Sequence, residues 1–343
     1  MRQLLTSTLL LALACDAPPA SEVLEIGGET MGTRFAVAVV RPPPALTHAA
    51  LEALTAQVLA GVDERMSTYR DDSELVRFNR SRSTRWFPVS EETALVAREA
   101  LRVSELSGGA FDPTLGPLVE LWGFGPTPAE RLPPARDALD RARARVGFQK
   151  LDARAAPPAL RKRRPDIELD LSGIAKGYAV DAIASRLAQA GAADFLVEVG
   201  GELRASGRNR RGEAWRIAVE QPLLERGRVQ SLVALRDEAI ATSGSYRNFA
   251  TRGARRFTHV LDPQTGAPSD DPLVSVSVVA PTAMRADALA TALFALGAER
   301  GRSLAEREQL PVLFLVAEAD GLRERSSPSF DARRLAAAPL AQR

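Results

Sequence analysis

Thr258-His-Val-Leu-Asp-Pro-Gln-Thr-Gly-Ala-Pro268 is the stretch around which the rest of the chain is organised. Its Asp-Pro and Thr-Gly pairs form turns, because proline fixes φ and glycine permits positive φ. The next segment, Leu273–Ala280, alternates in the manner of a half-buried strand. His259 is the only histidine in a motif, and it is therefore expected at a strand end or in a turn.

A helix is predicted directly after this strand. Thr282 can cap it, it runs to about Leu296, and Gly297 is expected to end it. Nearly every position between these residues is apolar, which predicts a buried helix. Asp287 and Thr291 stand at i and i+4, about 40° apart around the helix axis, so their oxygens share one face.

The carboxylate of Asp287 is the unusual feature of this helix. A buried carboxylate without a partner is costly, so Asp287 must meet an arginine or backbone donors, or it must bind a cation. A carboxylate and a hydroxyl are hard oxygen ligands that Mg²⁺ accepts, and Mg²⁺ completes its shell with water and phosphates. From the residues alone, a structural Asp–Thr pair and a metal site both remain open.

A second segment has the order strand, glycine turn, helix. Asp166-Ile-Glu-Leu-Asp-Leu171 alternates as a strand, Ser172-Gly173 interrupts it, and residues 174–190 predict a helix that ends at Gly191. The free N–H groups at such a helix N-terminus bind phosphate well. The residue order differs from that of a P-loop, and turns of this kind are common in α/β proteins.

The rest of the chain predicts short strands and amphipathic helices. Ser90 caps a helix that Gly108 and Gly109 end. Residues 151–165, with Arg161-Lys-Arg-Arg164, predict an irregular basic loop that is solvated or docks an acidic partner or lipid headgroups. Further strands are predicted at 24–26, 35–40, 195–199, 215–219, 231–235, 239–243, 311–316 and within 322–330, and further helices at 46–66, 135–146 and 303–309.

The first 15 residues are typical of a short secretory signal, with one arginine, an apolar run and then small residues. Cys15, the sole cysteine, stands where a lipoprotein is acylated, although Ala12 stands where leucine is usual. Lipidation at Cys15, cleavage near Ala14 and an uncleaved form are the alternatives. Residues 16–22 predict a short tether.

Length and charge set outer limits on the function. The 343 residues suffice for one large or two ordinary domains. The 45 basic and 43 acidic side chains nearly cancel, which argues against a nucleic-acid partner.

Several segments, taken in order, resemble the ApbE-type flavin transferases, which are FAD:protein FMN transferases. They extend over roughly residues 24 to 320 and are Met31-Gly-Thr33, 66–79, 110–118 with 121–125, 170–181, 197–201, 242–248 and the segments around His259 and Asp287. One of these matches alone would be weak, but their common order makes the resemblance specific.

The fold expected from this resemblance is α+β and ApbE/T-fold-like. Antiparallel sheets with helices packed outside would form two intertwined halves. The transferase domain is expected at residues 23–330, after the signal segment 1–15 and the tether 16–22. Residues 331–343 are expected to be a tail with little apolar surface with which to fold.

The activity that the resemblance implies is transfer of FMN from FAD to a Ser or Thr hydroxyl of a target protein, with release of AMP. Asp287, Thr291 and the main-chain carbonyl of Gly173 match the family's Mg²⁺ ligands. Ala290 stands where some members carry a second aspartate. His259 matches the proposed base, which Asp262 could orient.

Other positions match residues that contact FAD in the family. Lys176 stands where some members carry glutamate, so the charge beside the nucleotide is inverted, although other members also carry lysine. The matching positions are Met31, Tyr69, Ala110, Phe111, Asp112, Asp170, Lys176 and Leu261.

The resemblance also implies a location and an acceptor. The protein is expected on the periplasmic side of the inner membrane, anchored through Cys15, or soluble in the periplasm. Its acceptor is expected to be a membrane redox subunit with a Ser or Thr flavinylation site. The alternatives are a pyrophosphatase that splits FAD into FMN and AMP, and a flavin-binding lipoprotein without chemistry.

Overall fold

The structure, a computed structural model, describes residues 22–125, 133–222, 228–244, 249–252, 255–258, 260–263, 265–269, 271–319 and 321–336. For 249–252 and 255–258 it describes the backbone. Cys15, residue 259 and the predicted signal segment lie outside these ranges. Within them, no helix has the length and apolar character that are needed to cross a bilayer.

An eight-stranded sheet forms the centre of the molecule. All neighbouring strands in it are antiparallel, which confirms the predicted α+β class. The second strand of the chain pairs with a strand from its middle, so early and late segments are interleaved. Numbered in chain order and given in spatial order, the strands are β1 (Val23–Thr30), β2 (Thr33–Val40), β6 (Asp194–Val199), β7 (Glu202–Ser206), β10 (Ala239–Gly244), β15 (Leu273–Ala280), β16 (Val312–Glu318) and β17 (Gly321–Ser326).

Smaller antiparallel sheets accompany the central one. One has three strands and the others are two-stranded hairpins. They are β3 (Phe87–Pro88) and β4 (Leu151–Ala155) with β5 (Pro158–Lys162) between them, β8 (Trp215–Glu220) with β9 (Val229–Leu235), β11 (Phe249–Arg252) with β12 (Arg255–Thr258), and β13 (Leu261–Asp262) with β14 (Ala267–Pro268).

The helices begin where the sequence provides caps. Ser90 Oγ accepts from Thr93 N at 3.2 Å, and Thr282 Oγ1 accepts from Arg285 N at 3.3 Å, so both predicted caps are confirmed. Gly297 breaks the helical geometry with φ 77°, and helical turns resume after it. The helices are α1 (His48–Met66), α2 (Glu74–Arg80), α3 (Glu91–Leu106), α4 (Gly116–Leu121), α5 (Arg136–Ala144), α6 (Ala175–Gln189), α7 (Ala283–Arg307) and α8 (Pro328–Asp331), with a 3₁₀ turn at Phe148–Lys150.

The two faces of the central sheet are buried in different cores. One face packs against α1, α3, α6 and α7 and contributes residues such as Val278. The hairpin β8–β9 and α8 cover the other face, which contributes Val279. Adjacent residues of β15 thus enter opposite cores, as the two-residue period of a strand requires.

Helices α6 and α7 cross with their backbones almost in contact at Gly177. A Cβ atom there would lie 2.3 Å from the carbonyl oxygen of Ala283. Beside it, the carboxylate of Asp181 on α6 accepts from the N–H groups of Ala283 (3.0 Å) and Met284 (2.8 Å), in the first turn of α7. These N–H groups have no partner within their own helix and carry the positive end of its dipole. The crossing therefore fixes the N-terminus of α7 on α6.

The strand predicted at 166–171 is wrong. The side-chain amide of Asn79 occupies the place of a neighbouring strand, because it accepts from Leu169 N and donates to Leu169 O, both at 2.8 Å. The N–H of Asp170 donates to the carbonyl of Pro113 at 2.7 Å. The alternating apolar residues of this segment are buried. Its backbone groups, however, form hydrogen bonds with a side chain and a loop and not with a neighbouring strand.

The irregular basic loop predicted at 151–165 is also wrong, since this segment is the hairpin β4–β5. Asp152 pairs with two of its arginines. Lys162 is fully buried, and its Nζ donates to the carbonyls of Asn79 (2.9 Å) and Ser81 (2.8 Å) at the end of α2. Burial lowers the pKa of Lys162 to about 8. Arg161, Lys162 and Arg163 of the predicted basic loop therefore form contacts within the fold.

The first residues of the predicted tail are packed against the domain. Leu335 N donates to Leu232 O at 2.8 Å, which holds the chain on β9. Arg333 pairs with Glu238, and Arg334 pairs with Glu324. The expectation of a tail with little structure therefore fails for residues 331–336, while 337–343 lie outside the described residues.

Gly177→Ala tests the helix crossing. We expect this substitution to lower the free energy of unfolding by about 3 kcal/mol, because the added methyl group overlaps backbone that cannot move independently. Denaturant unfolding followed by circular dichroism measures the change.

Gly61→Ala is the matched control, since a Cβ at this site in α1 meets only the end of the Arg65 side chain, at 2.6 Å. We expect it to be neutral or to stabilise the protein by about 0.5–1 kcal/mol, the usual gain for Gly→Ala inside a helix. Equal effects of the two substitutions would contradict the close crossing.

Candidate active site

A large cleft gathers the predicted site residues. It has a volume of about 2160 Å³. Asp262 is described but does not line it, and His259 lies outside the described residues. The remaining predicted FAD and metal positions all line it: Met31, Tyr69, Ala110, Phe111, Asp112, Asp170, Gly173, Lys176, Leu261, Asp287 and Thr291.

Asp287 lies on α7 where this helix crosses α6, and it is 3% exposed. Its Oδ2 atom accepts from Gly177 N at 3.0 Å, in the first turn of α6. The N-cap residue of α6, Ile174, supplies no side-chain cap, so Asp287 provides one from another helix. Its Oδ1 atom lies 3.8 Å from Lys176 Nζ. Oδ2 therefore accepts from a backbone N–H, and Oδ1 faces the ammonium group of Lys176.

Thr291 and Gly173 are neighbours in the wall of the cleft. A Cβ atom on Gly173 would be 3.6 Å from Thr291 Oγ1 and 3.1 Å from the ring of Phe111. The hydroxyl of Ser243, at the end of β10, is 3.3 Å from Thr291 Oγ1. The turn before α6, the helix α7 and the strand β10 thus meet at a cluster of oxygen atoms.

The ammonium group of Lys176 lies between two acids. Its Nζ donates to Glu202 Oε1 at 3.1 Å and is 3.8 Å from Asp287 Oδ1. Burial would lower the pKa of Lys176, but the charges of Asp287 and Glu202 outweigh it and raise this pKa above its ordinary value. Burial raises the pKa of Glu202, and the Lys176 ammonium opposes that shift. The two acids therefore favour the charged form of Lys176.

The predicted oxygen ligands fit a hard divalent cation. They supply one carboxylate, one hydroxyl and a neighbouring main-chain carbonyl, and Mg²⁺ is typically held by one or two carboxylates with substrate phosphates completing its shell. Among the described residues, no group of three or more His, Cys, Asp or Glu side chains is arranged for a metal ion.

The loop at Ala110–Asp112 is held rigidly by its own aspartate. Asp112 Oδ1 accepts from Thr114 N (2.8 Å) and Thr114 Oγ1 (2.6 Å), and Oδ2 accepts from Phe148 N (2.9 Å). Burial raises the pKa of Asp112 in spite of these donors. Its carboxylate is therefore committed to shaping the loop, so that the loop offers backbone and Phe111 to the cleft.

Two residues at the rim have unusual exposure or backbone geometry. Tyr69 is 70% exposed, although it is a large aromatic residue that borders the cleft. Met31 adopts φ 44° in the turn between β1 and β2. An exposed aromatic ring at a cleft edge offers a planar ligand a surface for stacking.

The predicted base motif is anchored to the loop after α4. Leu261 is 2% exposed and packs with Leu118 and Trp122. Trp122 Nε1 donates to Gly266 O at 2.8 Å. The hairpin that contains Asp262 is thus tied to the segment 121–125, and Trp122 is part of the core beneath it.

Two polar residues that contact predicted site residues, Glu202 and Ser243, were not themselves predicted as part of the site. Glu202 follows the Gly200-Gly201 turn, and Ser243 lies in the segment 242–248, so both adjoin segments that the sequence marked. The alternation of β7 and β10 gave no sign that these side chains lie beside Lys176 and Thr291, because such contacts depend on the helix crossing.

Comparison with known proteins identifies the family. The model of the ApbE family matches residues 31–314. An FAD:protein FMN transferase of Vibrio cholerae is 42% identical over 324 residues, which is 94% of this chain and 96% of the relative. The solved structures of the flavin transferase ApbE from Vibrio cholerae and of the apo flavinyl transferase ApbE from Pseudomonas stutzeri are similar as well. Their TM-scores are both 0.84, at 42% and 38% identity, and the matches cover 91% and 93% of this chain and 99% and 98% of theirs. The chain belongs to the ApbE family.

Proposed function

We propose that this protein transfers FMN from FAD to a Ser or Thr hydroxyl of an acceptor protein and releases AMP. The observation that carries the proposal is its 42% identity, over 94% of the chain, to an FAD:protein FMN transferase. The cleft supports it, because one concave site collects the residues that match flavin and metal positions.

In this reaction the acceptor hydroxyl oxygen bonds to the phosphorus of the FMN moiety. The bond between that phosphorus and the bridging oxygen breaks, and AMP leaves with the electron pair. The hydroxyl proton passes to a base. Positioning and charge stabilisation supply most of the catalysis in phosphoryl transfer, so the cleft must align the pyrophosphate with the acceptor.

The turn at Gly173 and the N-terminus of α6 are suited to the pyrophosphate. Helix N-termini bind phosphate through their N–H groups and dipole. The ammonium of Lys176, in the first turn of α6, adds a full positive charge. Tyr69 and Phe111 also line the cleft and offer aromatic surface for the flavin or adenine ring.

Mg²⁺ is the cation that we assign to Asp287, Thr291 and the carbonyl of Gly173. When bound, it would offset the negative charge of the phosphates. The protein's contribution is to hold these oxygens at a fixed crossing, where Asp287 is immobilised by its hydrogen bond from Gly177. We assign the base to His259, since an imidazole titrates near neutral pH, and the orienting carboxylate to Asp262.

The setting that we propose is the periplasmic side of the inner membrane. The signal-like segment 1–15 and the position of Cys15 support a lipid anchor. The acceptor would then be a membrane redox subunit that exposes a Ser or Thr to the same compartment.

Tyr69→Ala tests the flavin-binding part of the proposal. Loss of one stacking surface of about 1–2 kcal/mol corresponds to about a 5–30-fold weaker FAD affinity. Titration of flavin fluorescence measures it. Tyr69→Phe retains the ring and is expected to bind FAD as the unaltered protein does, so equal weakening by both substitutions would contradict stacking.

The mass of an acceptor domain that carries a Ser or Thr site tests the transfer itself. After incubation with FAD, Mg²⁺ and the chain from Ser21, we expect the acceptor to gain the mass of one FMN, and we expect EDTA to abolish the gain. AMP without a mass gain would favour the pyrophosphatase, and neither product would favour a binding protein.

Asp287→Ala is expected to lower the rate of transfer at least about 100-fold, because it removes the one carboxylate of the assigned cation site. Asp137→Ala is the matched control, since that carboxylate is exposed on α5 and pairs only with Arg141 among the described contacts. Full activity of Asp287→Ala would overturn the metal assignment.

A further inference from the structure

Lys176 is shared unequally by two carboxylates of the cleft. Its Nζ atom is 3.1 Å from Glu202 Oε1, a hydrogen-bond distance, and 3.8 Å from Asp287 Oδ1, which is too long for one. The side chains of both acids are 4% exposed, whereas that of Lys176 is 30% exposed. The ammonium therefore forms its hydrogen bond with Glu202, and Asp287 is close enough to interact with it electrostatically.

The backbone around Glu202 is built to receive Lys176. Glu202 begins β7 directly after the Gly200-Gly201 turn, in which Gly200 has φ 68°. A Cβ atom on Gly200 would lie 3.2 Å from Glu202 Oε2 and 3.2 Å from Lys176 Cδ, so the missing side chain leaves room for both partners. This close approach keeps Lys176 on the β7 side of the cleft.

The position of Lys176 matters because an ammonium and a divalent cation compete for the same carboxylate oxygen. Asp287 Oδ2 is already occupied by Gly177 N–H, so Oδ1 is the atom with free capacity. A lysine that bonded directly to Oδ1 would have to be displaced before a cation could bind. An acid that holds the lysine elsewhere removes that competition.

We propose that Glu202 is a positioning residue that holds Lys176 away from Asp287 and so keeps Asp287 Oδ1 open for the cation. The inference rests on the proposed function and deepens it, since it concerns the same cation site. Glu202 itself touches neither the cation nor the reacting atoms. It acts through Lys176, and its carboxylate, whose Oε2 has no hydrogen-bond partner among the described residues, serves as the counter-charge.

The test compares Glu202→Gln, Lys176→Met and the double variant in the full-length chain. Glutamine keeps the size of the side chain but removes its charge, which leaves Asp287 as the nearest acid for Lys176. We expect Glu202→Gln to bind Mn²⁺ about tenfold more weakly, by isothermal titration in the absence of FAD. In the double variant, where no lysine can occupy Oδ1, we expect affinity to recover to within about threefold of Lys176→Met.

Glu99→Gln is the matched control. Glu99 is a buried carboxylate that pairs with Arg102 and Arg285 and does not line the cleft. We expect its substitution to leave Mn²⁺ affinity unchanged. A loss equal to that of Glu202→Gln would point to a general effect of burying an amide and would overturn the proposal.

A crystal structure of metal-free Glu202→Gln gives a readout that needs neither cation nor turnover. We expect Lys176 Nζ within hydrogen-bond distance of Asp287 Oδ1 in that variant. An unmoved lysine, unchanged Mn²⁺ affinity in Glu202→Gln, or no recovery in the double variant would overturn the proposal. If the unaltered protein bound no Mn²⁺, the metal assignment of the proposed function would fail, and the lysine position would still decide the role of Glu202.

Discussion

Two helix N-termini meet at Gly177, and each is capped by a carboxylate from the other helix. Asp287 of α7 accepts from Gly177 N in the first turn of α6, and Asp181 of α6 accepts from Ala283 N and Met284 N in the first turn of α7. Without these acids, buried N–H groups at the positive ends of two dipoles would lack partners. The exchange is possible only because residue 177 has no side chain to separate the backbones. The geometry of the cleft depends on this crossing.

The same crossing sets the positions of the groups assigned to chemistry. Thr291 lies one turn beyond Asp287 on α7, and Gly173 lies in the turn that leads into α6. Lys176 is carried on the first turn of α6, and its counter-charge comes from β7 through Glu202. Asp287 thus has a structural role at Oδ2, while Oδ1 remains for the cation that we propose, so the structural pair and the proposed metal site are compatible.

The sequence was most informative where local rules operate and least informative where contacts are distant. The caps at Ser90 and Thr282, the strand Leu273–Ala280 and the break at Gly297 follow from propensity and were predicted correctly. The error at 151–165 concerns a local pairing, since β4 and β5 pair with each other. The error at 166–171 arises from Asn79, which lies far from Leu169 in sequence. Glu202 was missed for the same reason, since its lysine is brought to it by the packing of α6 on the sheet. The family resemblance predicted which residues line the cleft. The distances and hydrogen bonds between them come only from the structure.

The central claim is that the cation site is built by the crossing of α6 and α7. Anomalous scattering from Mn²⁺ in crystals that also contain FAD tests it most directly. We expect a single peak in contact with Asp287 Oδ1, Thr291 Oγ1 and the Gly173 carbonyl, with the hydrogen bond from Gly177 N to Asp287 Oδ2 retained. A peak elsewhere in the cleft, or loss of that hydrogen bond when the ion binds, would contradict it.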